Sequence, residues 1–226
     1  MGKLEILSLS SDPFESRAEA GRLLGRELAE RQMTHALVLG IPRGGVIVAA
    51  EVAEALGGEL DIVLTRKLGA PGNSELAIGA VGEDGQVVLN DRLAEAVGAS
   101  RKYIDFSRVE ALAEISRRAQ VYRQARPRAT AAGRTVVLTD DGVATGATMQ
   151  AAIWALRGQR PERLIVALPV GPDDTLRRLA EDVDELICLR APSYFQAVGQ
   201  FYRDFSQTTD EEVLTALQRA HQEQVR

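Results

Sequence analysis

Residues 136–148 read VVLTDDGVATGAT and hold the densest set of chemically useful groups in the chain. An apolar run ends in two adjacent acids, Asp140 and Asp141, and a loop of small residues leads into a helix. Gly142, Ala144, Gly146 and Ala147 leave the backbone N–H groups of the loop open to close approach. Thr145 and Thr148 add hydroxyl donors, and the helix start behind them favours an anion. Such a loop suits phosphate. The two carboxylates are poor phosphate ligands; they suit sugar hydroxyls, or a metal ion carried in with the ligand. Acids and loop together fit a sugar phosphate. The stretch lacks the Gly-Lys-Ser/Thr ending of an ATP-type phosphate loop, and it lacks the G-x-G-x-x-G dinucleotide pattern. As a plain strand–turn–helix junction with capping threonines, it would need no paired acids.

A second segment, Gly40-Ile41-Pro42-Arg43-Gly44-Gly45, also lies between an apolar run and a helix. An arginine among glycines, with free backbone N–H groups, suits a diphosphate. The alternative is a simple tight turn. A third candidate is Arg66-Lys67, two cations at a strand end before a glycine-rich stretch.

Residues 136–148 resemble the phosphoribosyl-diphosphate signature of type I phosphoribosyltransferases: a hydrophobic strand, two acids, then a small Thr/Gly loop. The resemblance implies that Asp140 and Asp141 hold the ribose hydroxyls, with Mg²⁺ arriving mostly through the substrate, and that residues 144–148 cradle the 5′-phosphate. It implies that the Arg43 and Gly44 loop binds the leaving diphosphate, with a cis peptide at Pro42–Arg43. Arg43, Arg66 and Lys67 become the catalytic cations. The chain departs from orotate-type relatives after Lys67, because no further lysine or histidine follows in that loop; Glu75 is its one titratable side chain before Glu83. In hypoxanthine-guanine relatives an aspartate stands where this chain has Ala144, so the resemblance disfavours a 6-oxopurine acceptor. The two histidines, His35 and His221, lie in no motif. Tyr194, Phe195, Phe201, Tyr202 and Phe205 crowd one short stretch. In relatives an aromatic just past the last core strand stacks on the acceptor base, which suits Phe195 or Tyr194; packing of the tail onto the core is the other reading.

The elements that must position these residues follow from periodicity. Residues 36–40, 60–64, 135–139, 163–168 and 185–189 read as short buried strands. Helices are expected over 14–31, 46–56, 147–157, 173–181 and 209–224. Alternation of strand and helix implies an open, mostly parallel α/β sheet, and the resemblance implies five strands in the order 2-1-3-4-5, flanked by helices. Residues 76–81 and 86–90 flank Gly82-Glu83-Asp84-Gly85, so 66–90 reads as a mobile β-hairpin. Residues 91–126 read as a polar helical insertion whose arginines (Arg117, Arg118, Arg123, Arg126 and Arg128) form a solvated face in preference to a phosphate-facing one. Residues 190–226 form an aromatic and helical tail, and the whole chain, 1–226, is expected to be one phosphoribosyltransferase domain. The resemblance runs over roughly residues 36–190 at the level of order, and its specific motifs sit in three loops.

Composition bounds the rest. The chain has 226 residues, 45% of them hydrophobic and 26% charged, as in ordinary globular domains. A net charge of −5 argues against a protein that mainly clamps nucleic acid. No apolar run is long enough to span a bilayer, and the N-terminus lacks an apolar signal core; a cytoplasmic location is the expectation. The single cysteine, Cys188, lies in an apolar run and reads as an inert core thiol. The reading is a transferase that moves the 5-phosphoribosyl group from phosphoribosyl diphosphate to a small nitrogenous acceptor, with Mg²⁺ as cofactor, no membrane or nucleic-acid partner, and room for a homodimer. The alternative is a regulator of the same fold that senses phosphoribosyl diphosphate without turnover.

Overall fold

The computed structural model describes residues 2–33 and 35–224, without the side chains of Glu75, Glu223 and Gln224; the titratable group of Glu75 thus lies outside the described residues. The chain runs β1 (Lys3–Ile6), α1 (Arg17–Glu30), β2 (Leu37–Gly40), α2 (Gly44–Leu56), β3 (Glu59–Ile62), β4 (Thr65–Ala70), β5 (Asn73–Gly82) and β6 (Val87–Leu89). It continues through α3 (Asp91–Ala96), α4 (Arg101–Tyr122), β7 (Thr135–Thr139), α5 (Ala147–Gly158), β8 (Arg163–Val170), α6 (Asp173–Ala180), β9 (Glu185–Arg190), a 3₁₀ turn (Val198–Phe201) and α7 (Asp210–Gln224).

The main sheet has the order β1-β9-β8-β7-β2-β3, and its neighbours pair in parallel. Its five inner strands follow the expected order. The expected count of five is corrected to six, because β1 adds itself outside β9. Successive residues of a strand point to opposite faces, and the core divides accordingly. Val38, Val137, Ile165 and Ile187 pack on the side of α1, α2 and α7. Leu37, Leu39, Val136, Leu138, Leu164 and Val166 pack with residues of α5 and α6. Cys188 is fully buried on that second side, and burial pushes its thiol up to about 12, so it is inert.

The 66–90 segment is larger than a hairpin. It forms a three-stranded antiparallel sheet, β4-β5-β6, and Arg66 and Lys67 lie within β4. The segment is also anchored, against the expected mobility: Leu68, Ile78 and Val81 are buried in the main core. The helical insertion is two helices. Gly98 takes positive φ (67°) between them, and the Ser100 side chain caps α4 by accepting from the Tyr103 N–H. Its arginines are not one solvated face. Arg123 bridges Asp61 (2.6 Å) and Glu83 (2.7 Å), and Arg126 pairs with Glu59, so both tie the end of α4 to the strands.

Candidate functional site

Strands β2 and β7 are neighbours in register, Gly40 against Thr139, so the loops that leave them emerge side by side. The Ile41 N–H donates to the Thr139 carbonyl at 3.1 Å and extends the pairing into the loops. Beyond this point the two glycines of the first loop touch the two acids of the second. A Cβ added at Gly44 would stand 2.1 Å from Asp141 Oδ2, and one at Gly45 would stand 2.8 Å from Asp140 Oδ1. Only glycine allows this approach. The Pro42–Arg43 peptide is cis. What the loop presents to the acids is therefore backbone. The Arg43 guanidinium turns instead toward α4 and α7, with Nη1 4.0 Å from Asp210 Oδ1.

Both acids are half-buried. Asp140 Oδ1 accepts the Asp141 N–H at 2.8 Å. Asp141 Oδ2 accepts from Arg17 Nε at 2.7 Å. Burial holds the Asp140 carboxyl well above the usual carboxylate range, and the charge of Asp141 adds to the effect. Burial also raises Asp141, against the pull of Arg17. Two adjacent acids short of positive charge would be relieved by sugar hydroxyls or a cation. Among the described residues no group of three or more His, Cys, Asp or Glu is placed to hold a metal. The two neighbouring carboxylates of Asp140 and Asp141 are the donors that could share in holding a divalent cation.

Sequence reasoning missed Arg17. Besides Asp141, its Nη1 donates to the Ser206 carbonyl at 2.8 Å, and its guanidinium lies 4.0 Å over the Phe205 ring. The Tyr202 hydroxyl donates to the Asp141 carbonyl at 2.6 Å. Start of α1, acids and tail thus meet at one point. No local pattern marks Arg17, which lies 124 positions before Asp141.

The second loop turns into α5 at Gly146, whose positive φ (75°) suits glycine. Ala144, Thr145 and Thr148 are exposed, and Ala147 is half-buried. The Ala144 carbonyl accepts from Thr175 (2.9 Å) and the Thr145 carbonyl from Arg178 (2.6 Å). These carbonyls are committed to α6, whereas the first N–H groups of α5 have no partner within the helix. Gly142 does not face the loop's opening; it is buried beneath Val170 and Val198. Arg66 and Lys67 share a cleft of about 610 Å³ with Pro42 and Thr148, and α4 supplies Glu110 and Arg118 to its wall. Phe195 packs on Phe201 at 5.0 Å, in a cluster with Phe14, Val170 and Tyr202. Phe195, Phe201 and Tyr202 thus pack the tail onto the core, whereas Tyr194 is 67% exposed.

Residues 15–206 match the phosphoribosyl transferase domain. The chain belongs to this family. Two Mycobacterium tuberculosis proteins, MT0597 (strain CDC 1551) and Rv0571c (strain H37Rv), carry names that assign them provisionally to the phosphoribosyl transferases. Each is 45% identical over 210 residues, which is 93% of this chain and 47% of the relative. The chain thus spans about half the length of these curated relatives. The crystal structure of TT1426 from Thermus thermophilus superposes with a TM-score of 0.87 at 45% identity, covering 92% of this chain and 98% of that one. The phosphoribosyl transferase match begins just before Arg17 and ends at Ser206, so it takes in every contact of the Arg17 cluster.

Proposed function

We propose that this chain transfers the 5-phosphoribosyl group from phosphoribosyl diphosphate to a small nitrogenous acceptor and releases pyrophosphate. The observation that carries the reading is the contact of the two loops. A backbone loop suited to diphosphate lies against two acids suited to ribose, with Gly44 and Gly45 at the seam. In this reading Asp140 and Asp141 accept the 2′- and 3′-hydroxyls. Residues 144–148 bind the 5′-phosphate at the start of α5. Residues 43–45 hold the diphosphate by backbone N–H groups, and Arg66 and Lys67 offset its charge from the adjoining cleft. An Mg²⁺ ion bound with the diphosphate would supply further charge neutralisation at the leaving group.

The C1′–O bond to the diphosphate breaks as the C1′–N bond forms, and the acceptor nitrogen gives up a proton. The transition state is oxocarbenium-like at C1′. Placement and charge stabilisation of the leaving group supply most of the catalysis. With Ala144 in place of an acid, that position has no carboxylate to offer a 6-oxopurine ring, so adenine-like bases or amines are the expected acceptors.

The test is a screen of nucleobases and small amines with phosphoribosyl diphosphate and Mg²⁺, following pyrophosphate release. Release that depends on one acceptor class is the expected result. Tight binding of phosphoribosyl diphosphate with no release in any arm would replace the transferase with the sensing regulator.

A further inference from the structure

The loop that carries Arg43 has a second face. Its guanidinium enters a cavity of about 480 Å³ walled by the end of α4 and the start of α7, and no residue of 140–148 contributes to the lining. Arg117 and Arg118 of α4 line the same space, as do Tyr122 and Asp210. Three arginines thus line a space whose lining offers one carboxylate.

The existing pairings leave these cations under-compensated. Glu114, one turn back on α4, serves both Arg117 (3.0 Å) and Arg118 (3.1 Å). Asp210 is held by the Tyr122 hydroxyl at 2.5 Å and stands 4.0 Å from Arg43, too far for a hydrogen bond. Three arginines against Glu114 and Asp210 leave one net positive charge. Guanidinium forks match the oxygens of a phosphate group in both charge and geometry. We propose that this cavity binds a phosphate group through Arg43, Arg117 and Arg118, at a site separate from the loop of residues 140–148. The group is either inorganic phosphate or the phosphate of a monoester. Asp210 acts against it, as the carboxylate that the ligand must displace from Arg43.

The two roles predict effects of opposite sign. Calorimetric titrations use the full chain saturated with phosphoribosyl diphosphate and Mg²⁺, which fills the proposed site of residues 43–45 and 140–148, with inorganic phosphate in one arm and glycerol 3-phosphate in the other. Arg117→Gln should weaken phosphate binding by about tenfold. Asp210→Asn should tighten it by about threefold or more. Tighter binding of glycerol 3-phosphate identifies a monoester ligand, and binding of inorganic phosphate alone identifies the free ion; either supports the site. The same affinity in all three proteins, weakening by Asp210→Asn, or no binding in either arm would overturn it. The altered residues lie outside 41–45 and 140–148. Failure of phosphoribosyl diphosphate to bind would therefore count against the proposed function, and the opposite signs of the variants would still decide the cavity.

Discussion

Asp140 and Asp141 put two carboxyl groups into a half-buried seam, and Arg17 is the side chain that answers Asp141 directly. Removing one partner of a poorly solvated ion pair costs more than the pair contributes, because the other charge is left behind. Arg17→Gln should therefore lower stability by about 2 kcal/mol, and Arg17→Lys by less, in urea unfolding monitored at neutral pH. Equal, negligible losses would mean that Arg17 is a surface contact only. Gly44 sets a second constraint. A methyl group there would clash with Asp141 Oδ2, and the clash should cost about 1–3 kcal/mol of stability and strip phosphoribosyl-diphosphate binding. A folded Gly44→Ala protein with unchanged affinity would separate the two loops functionally. Side-chain type and spacing made the acids, the Thr-Gly-Ala-Thr turn and the Pro-Arg-Gly-Gly turn legible, because each is a local pattern with a local purpose. Arg17 was not legible, since its partners come from residues 141, 205 and 206 and only the fold brings them together.

The β4-β5-β6 sheet is an element whose anchoring fixes what can move. Leu68, Ile78 and Val81 are buried, so the base of this sheet belongs to the core. Ile78→Ala should cost about 3 kcal/mol, measurable as a shift in the urea midpoint. Motion that closes the site over ligand is then expected at the tip of residues 71–76, where β4 turns into the start of β5, with slowed amide exchange there when phosphoribosyl diphosphate and Mg²⁺ are added. Exchange that slows across the whole of 65–90 would show that the base opens too. At the other edge, β1 is clamped by Arg31, which grips both oxygens of Glu5 at 2.8 Å. The Arg31 guanidinium, through those hydrogen bonds, lowers Glu5 from its ordinary 4.5 to about 2. A depressed acid adds stability above its unfolded value and loses it as pH falls. The contribution should be present above about pH 4.5 and vanish toward pH 2; since Glu5 is a third exposed, it is at most about 1 kcal/mol. Glu5→Gln should flatten the stability–pH curve in that window, and an unaltered slope would discount the clamp. Buried strands with continuous apolar runs, such as 135–139, were readable. Strand β1 was not, because Lys3-Leu4-Glu5-Ile6 holds only two apolar residues and is stabilised by β9. Strand β4 was hidden because it opens Thr65-Arg66-Lys67, a polar run that reads as loop.

At the scale of the whole molecule, a six-stranded sheet places β2 and β7 side by side, and the crevice outside their carboxyl ends is where open α/β sheets bind ligands. The alternation of strand and helix made that arrangement predictable. The added α4 was visible as helix, but its place beside the cleft was not, since it depends on Arg123 and Arg126 pairing with residues of the strands. In the proposed function the two adjoining loops form one phosphoribosyl-diphosphate site. Calorimetric titration of phosphoribosyl diphosphate with Mg²⁺ into the unaltered chain and into Asp140→Asn/Asp141→Asn tests it most directly. Saturable binding to the first is expected, with a loss of about tenfold to a hundredfold in the second and the fold retained. No binding to the unaltered chain, or equal affinity in a folded double variant, would contradict it.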